Sequence, residues 1–217
     1  MTTRTLTEVL ADWREKVGEP FRSPNDAVVR HLIEVDAAAH ALKTGEVFPE
    51  FALMNAEGDL VRSADLFAEG PVVLSFYRGV WCPFCSAELE ALHEDEPAIR
   101  AAGGKLVAIS PEAGGLPLKV KRERGFRFEI LGDLDNGLAL RCGLVFRISN
   151  DLIRVFLANG VDFPLFYGND SWFLPMPATY IVRRGGSIAH AYVNPEFRER
   201  LDPRDIVRHL QHMNGRG

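Results

Sequence analysis

Leu74-Ser75-Phe76-Tyr77-Arg78-Gly79-Val80-Trp81-Cys82-Pro83-Phe84-Cys85-Ser86-Ala87-Glu88-Leu89 joins an apolar strand to a helix start through a short turn, and two cysteines in C-x-x-C spacing stand at the join. Residues 71–77 carry the β-branched and aromatic run of a buried strand, Gly79 breaks it, and residues 86–93 are mostly good helix formers. Cys82 and Cys85 are therefore expected at a helix N-terminus. Unpaired backbone N–H groups and the positive end of the helix dipole favour thiolate over thiol there, and Pro83 suits a first turn, where its missing N–H costs nothing. Zinc would need two further ligands, yet Cys142 is the only other cysteine and no His-x-x-x-His pattern follows. Two inert buried thiols would not call for an aromatic, a proline and a helix start around them. The pattern reads as a redox pair.

Working outward, 217 residues of which 47% are hydrophobic can bury a full core, in one domain with an extension rather than two domains. No apolar run approaches the roughly 18 residues of a membrane span, and residues 1–8 lack the apolar centre of a signal peptide, so a cytoplasmic location is expected with no membrane contact. Three cysteines are too few for a disulfide scaffold. The net charge of −5 argues against a nucleic-acid-binding surface, and Lys121-Arg122-Glu123-Arg124 reads as a solvated helix face.

Residues 5–42 have helical spacing in two segments, Leu6, Val9, Leu10 and Trp13, then Val28, Val29, Leu32, Ile33 and Val35. Pro20, Ser23, Pro24 and Asn25 mark a turn between them, with Ser23 or Asn25 as cap of the second helix. The apolar stripe must be buried on the main domain or on a second copy of the chain, as a homodimer. From Gly45 the sequence predicts a hairpin over 51–61, a helical turn from Ser63, and strands at 71–77, 105–110 and 128–131. Helices are predicted over 118–124, 136–142 and 150–159, the last capped by Asn150 or Asp151. A long aromatic loop over 160–175, a possible lid in length, precedes a hairpin over 179–193 and a helix capped by Asp202. Strands alternating with helices, then a closing hairpin and helix, describe a three-layer α/β domain with a mixed sheet.

Several of these stretches together resemble the alkyl hydroperoxide reductase C and thiol-specific antioxidant family, peroxiredoxin-like proteins of the thioredoxin-fold superfamily. They are Phe48-Pro49-Glu50-Phe51, Phe76-Tyr77 before the cysteines, Cys85-x-x-Glu88, Leu131-Gly132-Asp133-Leu134-Asp135, and Pro177-Ala178-Thr179-Tyr180-Ile181-Val182 before its Gly-Gly turn. The resemblance implies a thioredoxin-like fold over residues 44–217, with residues 1–43 as an N-terminal helical extension outside it. It further implies a cofactor-free antioxidant peroxidase, with a hydroperoxide as substrate and a thioredoxin-like or low-molecular-weight thiol as reductant. Family register places Cys85 on the peroxide-attacking cysteine and Cys82 on a threonine, leaving Cys82 as the resolving partner within a redox-active disulfide. Trp81-Cys82-Pro83-Phe84-Cys85 equally fits the thioredoxin motif, in which Cys82 would be the nucleophile of a thiol-disulfide oxidoreductase. A redox-sensing binding module is a third reading. Tyr77, Trp81 and Pro177 are the expected substrate-binding residues. Pro177 also falls where the family places an arginine against the cysteine; a cis Met176-Pro177 bond would instead match the thioredoxin-like arrangement. Arg78, Arg147, Arg183 and Arg184 are the candidates to supply the missing cation, and Cys142 is expected to be buried.

Overall fold

The apolar run before the cysteines becomes the middle of a sheet. In the computed structural model, which describes residues 4–215, the chain runs α1 (Leu6–Lys16), α2 (Arg22–Glu34), β1 (Ala52–Asn55), β2 (Leu60–Arg62), α3 (Ser63–Glu69), β3 (Val72–Phe76), α4 (Pro83–Ala101), β4 (Lys105–Ser110), α5 (Leu116–Arg124), β5 (Glu129–Gly132), α6 (Gly137–Arg141), β6 (Val145–Arg147), α7 (Asn150–Ala158), α8 (Phe163–Tyr167), β7 (Phe173–Pro175), β8 (Ala178–Val182), β9 (Ile188–Val193) and α9 (Pro203–Met213). Seven strands form one sheet in the order β2-β1-β5-β4-β3-β8-β9. β3, β4 and β5 are parallel neighbours, linked by α4 and α5, and the other pairs are antiparallel. A central strand so placed is covered on both faces, which is why all five residues of β3 are buried.

Alternation along β3 sorts the layers. Val73 faces a cluster with Leu89, Leu92 and Ile99 of α4, Ile206 and Leu210 of α9, and Leu6 and Leu10 of α1. Val72, Leu74 and Phe76 face the opposite cluster, with Phe48, Phe67 and Tyr180. The result is the expected three-layer α/β arrangement around a mixed sheet. The N-terminal helices bury part of their stripe on the rest of the chain, α1 through Leu6 and Leu10 on α4, and α2 through Val28 and Leu32 on Leu152 and Phe156 of α7, while Trp13, Ile33 and Val35 stay exposed. Among the described residues, no helix is long and apolar enough to cross a membrane.

Four local expectations change. α2 starts at Arg22, so Ser23, Pro24 and Asn25 form its first turn, where proline is tolerated. Neither Ser23 nor Asn25 caps it; the Asn25 amide donates back to the Phe21 carbonyl at 2.8 Å. Ser149, one residue earlier than expected, caps α7. The 160–175 loop holds α8, with Phe163 fully buried, and β7, which pairs with β6 in a second two-stranded sheet. A five-residue helix and three-residue strands are too short to show a period in sequence. Finally, among the described residues only Glu19–Pro20 is cis, so Met176–Pro177 is trans. Pro177 is buried between β7 and β8, beside the Ala178–Phe76 pair at the end of β3.

Candidate active site

β3 ends at Phe76, and the chain must turn within six residues to start α4. Gly79 makes that turn with φ +147°, and a Cβ there would meet the Trp81 indole nitrogen at 2.5 Å and a Glu112 carboxylate oxygen at 3.0 Å. Only glycine combines that backbone with that contact. Cys82 then serves as the N-cap of α4 in extended conformation, Pro83 opens the helix, and Cys85 falls in its first turn. Both sulfurs therefore share the orphan N–H end of a 19-residue helix. All three cysteines are free thiols and buried, Cys82 at 1% and Cys85 at 0% exposure.

Two arginines meet the two sulfurs. Arg78 donates to Cys82 Sγ at 2.9 Å, and its guanidinium lies 3.7 Å from the Phe197 ring centroid and 5.3 Å from that of Trp81. The Tyr167 hydroxyl donates to the Arg78 carbonyl and accepts from the Trp81 indole at 3.0 Å, tying α8 to the turn. Arg200 reaches Cys85 Sγ at 3.6 Å and donates to the Glu88 carboxylate at 2.7 Å, both partners being almost fully buried. Ser75 donates to the other Glu88 oxygen at 3.4 Å. Behind the turn, Glu112 accepts from the Val80 N–H at 3.0 Å and from the Ser110 hydroxyl at 3.1 Å. The Tyr77 hydroxyl, fully buried, faces Ser110 and Glu112 but makes no hydrogen bond of ordinary geometry among the described residues.

Electrostatics separate the pair. Burial pushes the Cys82 thiol up, but the hydrogen bond from Cys85 and the charges of Arg78 and Arg200 outweigh it and hold Cys82 well below the usual cysteine value. Burial, the bond to Cys82 and the neighbouring thiolate push Cys85 well above it. The opposite directions of the two shifts favour a single anion shared by the pair, with Cys82 ionising before Cys85. Burial also raises Glu88, against the pull of Arg200, and Glu112 to about 7. Cys142 is buried, and desolvation raises it to about 12.

A cavity of about 220 Å³ opens onto Cys82, lined also by Arg78, Trp81, Phe84, Phe156 and Phe197; Cys85, Tyr77 and Pro177 do not line it. Of the candidate arginines, only Arg78 meets a sulfur. Arg147 binds Asn150, Arg183 the Ile188 carbonyl and Arg184 the Glu69 carbonyl. Arg200, Glu112 and Phe197 carried no local sequence signal. Arg200 stands 115 residues from Cys85 in a segment without regular structure, and only the fold joins them.

The sequence pattern of the AhpC/TSA family matches residues 44–191. A Mycobacterium tuberculosis protein assigned as a peroxiredoxin is 27% identical over 103 residues, which are 48% of this chain and 67% of that protein. The crystal structure of peroxidoxin BcpB from Mycobacterium tuberculosis superposes with a TM-score of 0.62 at 18% identity, over 79% of this chain and 98% of that one. A yeast mitochondrial 1-Cys peroxiredoxin, studied for thiol resolution by the glutathione and thioredoxin systems, gives 0.60 at 17% identity, over 80% and 76%. Identities this low speak for the fold, whereas the family pattern spans well over half the sequence and includes both cysteines. The chain thus belongs to the AhpC/TSA family, the thioredoxin-fold peroxiredoxins, and is a thiol peroxidase by class.

Proposed function

We propose that this chain reduces hydroperoxides through its C-x-x-C dithiol, with Cys82 as the first sulfur oxidised and Cys85 as its resolving partner. The observation that carries this order is the Arg78 contact to Cys82 at 2.9 Å at the floor of the open cavity, while Cys85 lies behind it. The Cys82 thiolate attacks the terminal, hydrogen-bearing oxygen of the hydroperoxide; an S–O bond forms as the O–O bond breaks, leaving a sulfenic acid, and the alkoxide takes up a proton to leave as an alcohol. Cys85 sulfur then attacks the Cys82 sulfenic acid, an S–S bond forms, and the hydroxide leaves with the Cys85 proton as water. Residues three apart in a first helical turn suit such a bridge. A dithiol protein of the thioredoxin type or a small thiol would return the pair to the reduced state by exchange.

The reverse order, with Cys85 attacking first as the family register implies, is favoured by one observation: Arg200 and Glu88 converge on Cys85 in the Cys85-x-x-Glu88 pattern. Stopped-flow oxidation of the reduced protein by hydrogen peroxide decides between them. Rapid oxidation retained in Cys85→Ser and lost in Cys82→Ser is the expected result. The opposite pattern reverses the order, and slow peroxide reaction beside rapid disulfide exchange would replace the peroxidase reading with a thiol-disulfide oxidoreductase.

A further inference from the structure

The cavity over Cys82 is larger and differently charged than hydrogen peroxide needs. Its volume of about 220 Å³ holds roughly seven waters at ~30 Å³ each, whereas hydrogen peroxide fills about two. Its wall is apolar and aromatic, with Phe21, Trp81, Phe84, Phe156, Val161 and Phe197. Within a chain of net charge −5, every charged residue lining it is an arginine: Arg14, Arg22, Arg78 and Arg198.

Two of these cations are already answered. Arg198 pairs with Glu196 at 2.6 Å and with Asp26 at 2.5 Å, and Arg14 approaches Glu196 at 3.6 Å. Arg78 faces the Cys82 sulfur. Arg22, opening α2, donates only to backbone carbonyls at the end of α1, Val17 at 3.1 Å and Glu15 at 3.0 Å, and makes no ion pair among the described residues. Arg22 therefore lines the cavity as an exposed cation with no carboxylate partner among the described residues, on an element separate from the reacting sulfur. An apolar body gains by leaving water against these rings, about 25 cal/mol for each Å² buried, and a planar carboxylate matches a guanidinium.

We propose that the site takes organic hydroperoxides that carry a carboxylate, with the apolar body against the aromatic wall, the peroxide at Cys82 and the carboxylate at Arg22. This rests on the peroxidase reading above. It assigns a specificity role to the first two helices, which lie outside the family-matched residues.

The test compares 4-(2-hydroperoxypropan-2-yl)benzoic acid with its methyl ester in stopped-flow oxidation of the reduced protein, two substrates that share the reacting group and the ring and differ in the charge and one methyl. The acid is expected to react about tenfold faster. Arg22→Gln should abolish that acid-to-ester ratio and Arg22→Lys should keep it; since both rates come from one sample, partial misfolding cancels. Equal rates for acid and ester in the wild type, or an unchanged ratio in Arg22→Gln, overturn the proposal while leaving the peroxidase reading intact. If no hydroperoxide reacts, that reading fails instead, and calorimetric titration with 4-isopropylbenzoate against its amide still judges the pocket: equal affinities overturn it.

Discussion

Cys82 and Cys85 stand three residues apart on one helix start and share little else. Among the described residues the arginine at Cys82 has no carboxylate partner, so its charge serves the sulfur; the arginine at Cys85 is committed to Glu88 at 2.7 Å. Cys82 opens onto an apolar cavity, whereas Cys85 is enclosed by Arg200, Glu88 and the Cys82 sulfur itself. A second thiolate beside the first would be repelled at close range in a buried site, so the two titrate as a unit with one anion. The comparison teaches that helix position alone does not choose the reactive sulfur, because both have it. The proposed order of attack rests instead on the uncommitted cation at Cys82 and on the cavity that Cys82 lines.

The largest effect should come from the enclosed side. Arg200→Ala leaves Glu88 buried without its partner, a change that typically costs about 3–5 kcal/mol, and the midpoint of urea unfolding should fall accordingly. A double variant, Arg200→Met with Glu88→Leu, removes both charges and should recover most of the loss. If the double variant is no better than Arg200→Ala, the Glu88–Arg200 pair is not what sets the enclosed side apart.

On the open side, Arg78→Met should leave the fold in place and raise the Cys82 thiol toward the ordinary cysteine value, read as the pH dependence of its alkylation. Loss of one charge-assisted hydrogen bond, about 1.5–3 kcal/mol, corresponds to a roughly ten- to hundredfold smaller acid dissociation constant for the Cys82 thiol, read as a rise of about one to two pH units in the alkylation midpoint. Alkylation unchanged by Arg78→Met would erase the asymmetry between the sulfurs.

How much of this was legible follows the range of the interactions. The β3 run, the C-x-x-C helix start and the closing hairpin over 178–193 announce themselves through local periodicity and turn residues, and they appear where expected. The β6–β7 pair was hidden because its strands are three residues each and are separated by 25 residues. At the site, Cys82, Cys85 and Trp81 were readable because they share one motif, whereas Arg78 was one of four candidate arginines that spacing could not separate, and its contact to Cys82 singles it out. Arg200 was not readable, since a lone arginine looks the same whether it faces water or a sulfur. Tyr77 illustrates the converse: its place beside the motif suggested substrate contact, but strand alternation aims it inward, on the face of Val73, where its hydroxyl is buried.

The smallest expected effect concerns the two buried carboxylates around Cys85. Glu112 sits near 7 instead of its ordinary 4.5, first because of burial, which its bonds from Val80 and Ser110 only partly offset. A carboxyl raised in the folded state binds its proton more tightly there than in the unfolded chain, so its contribution is full below about pH 4.5 and is lost as pH rises through 7. Glu88 adds in the same direction. Thermal stability should therefore decline from pH 5 to pH 8, and Glu112→Gln, which keeps an acceptor for the Val80 N–H but cannot ionise, should flatten part of that slope, by about 1 kcal/mol after relaxation. Alkylation of Cys82 should be far less sensitive to Glu112→Gln than to Arg78→Met, because the carboxylate faces the Cys85 side. A Glu112→Gln protein whose Cys82 reactivity shifts as much as its stability would mean that the two sulfurs share one electrostatic environment, and the order of attack would then have to rest on access alone.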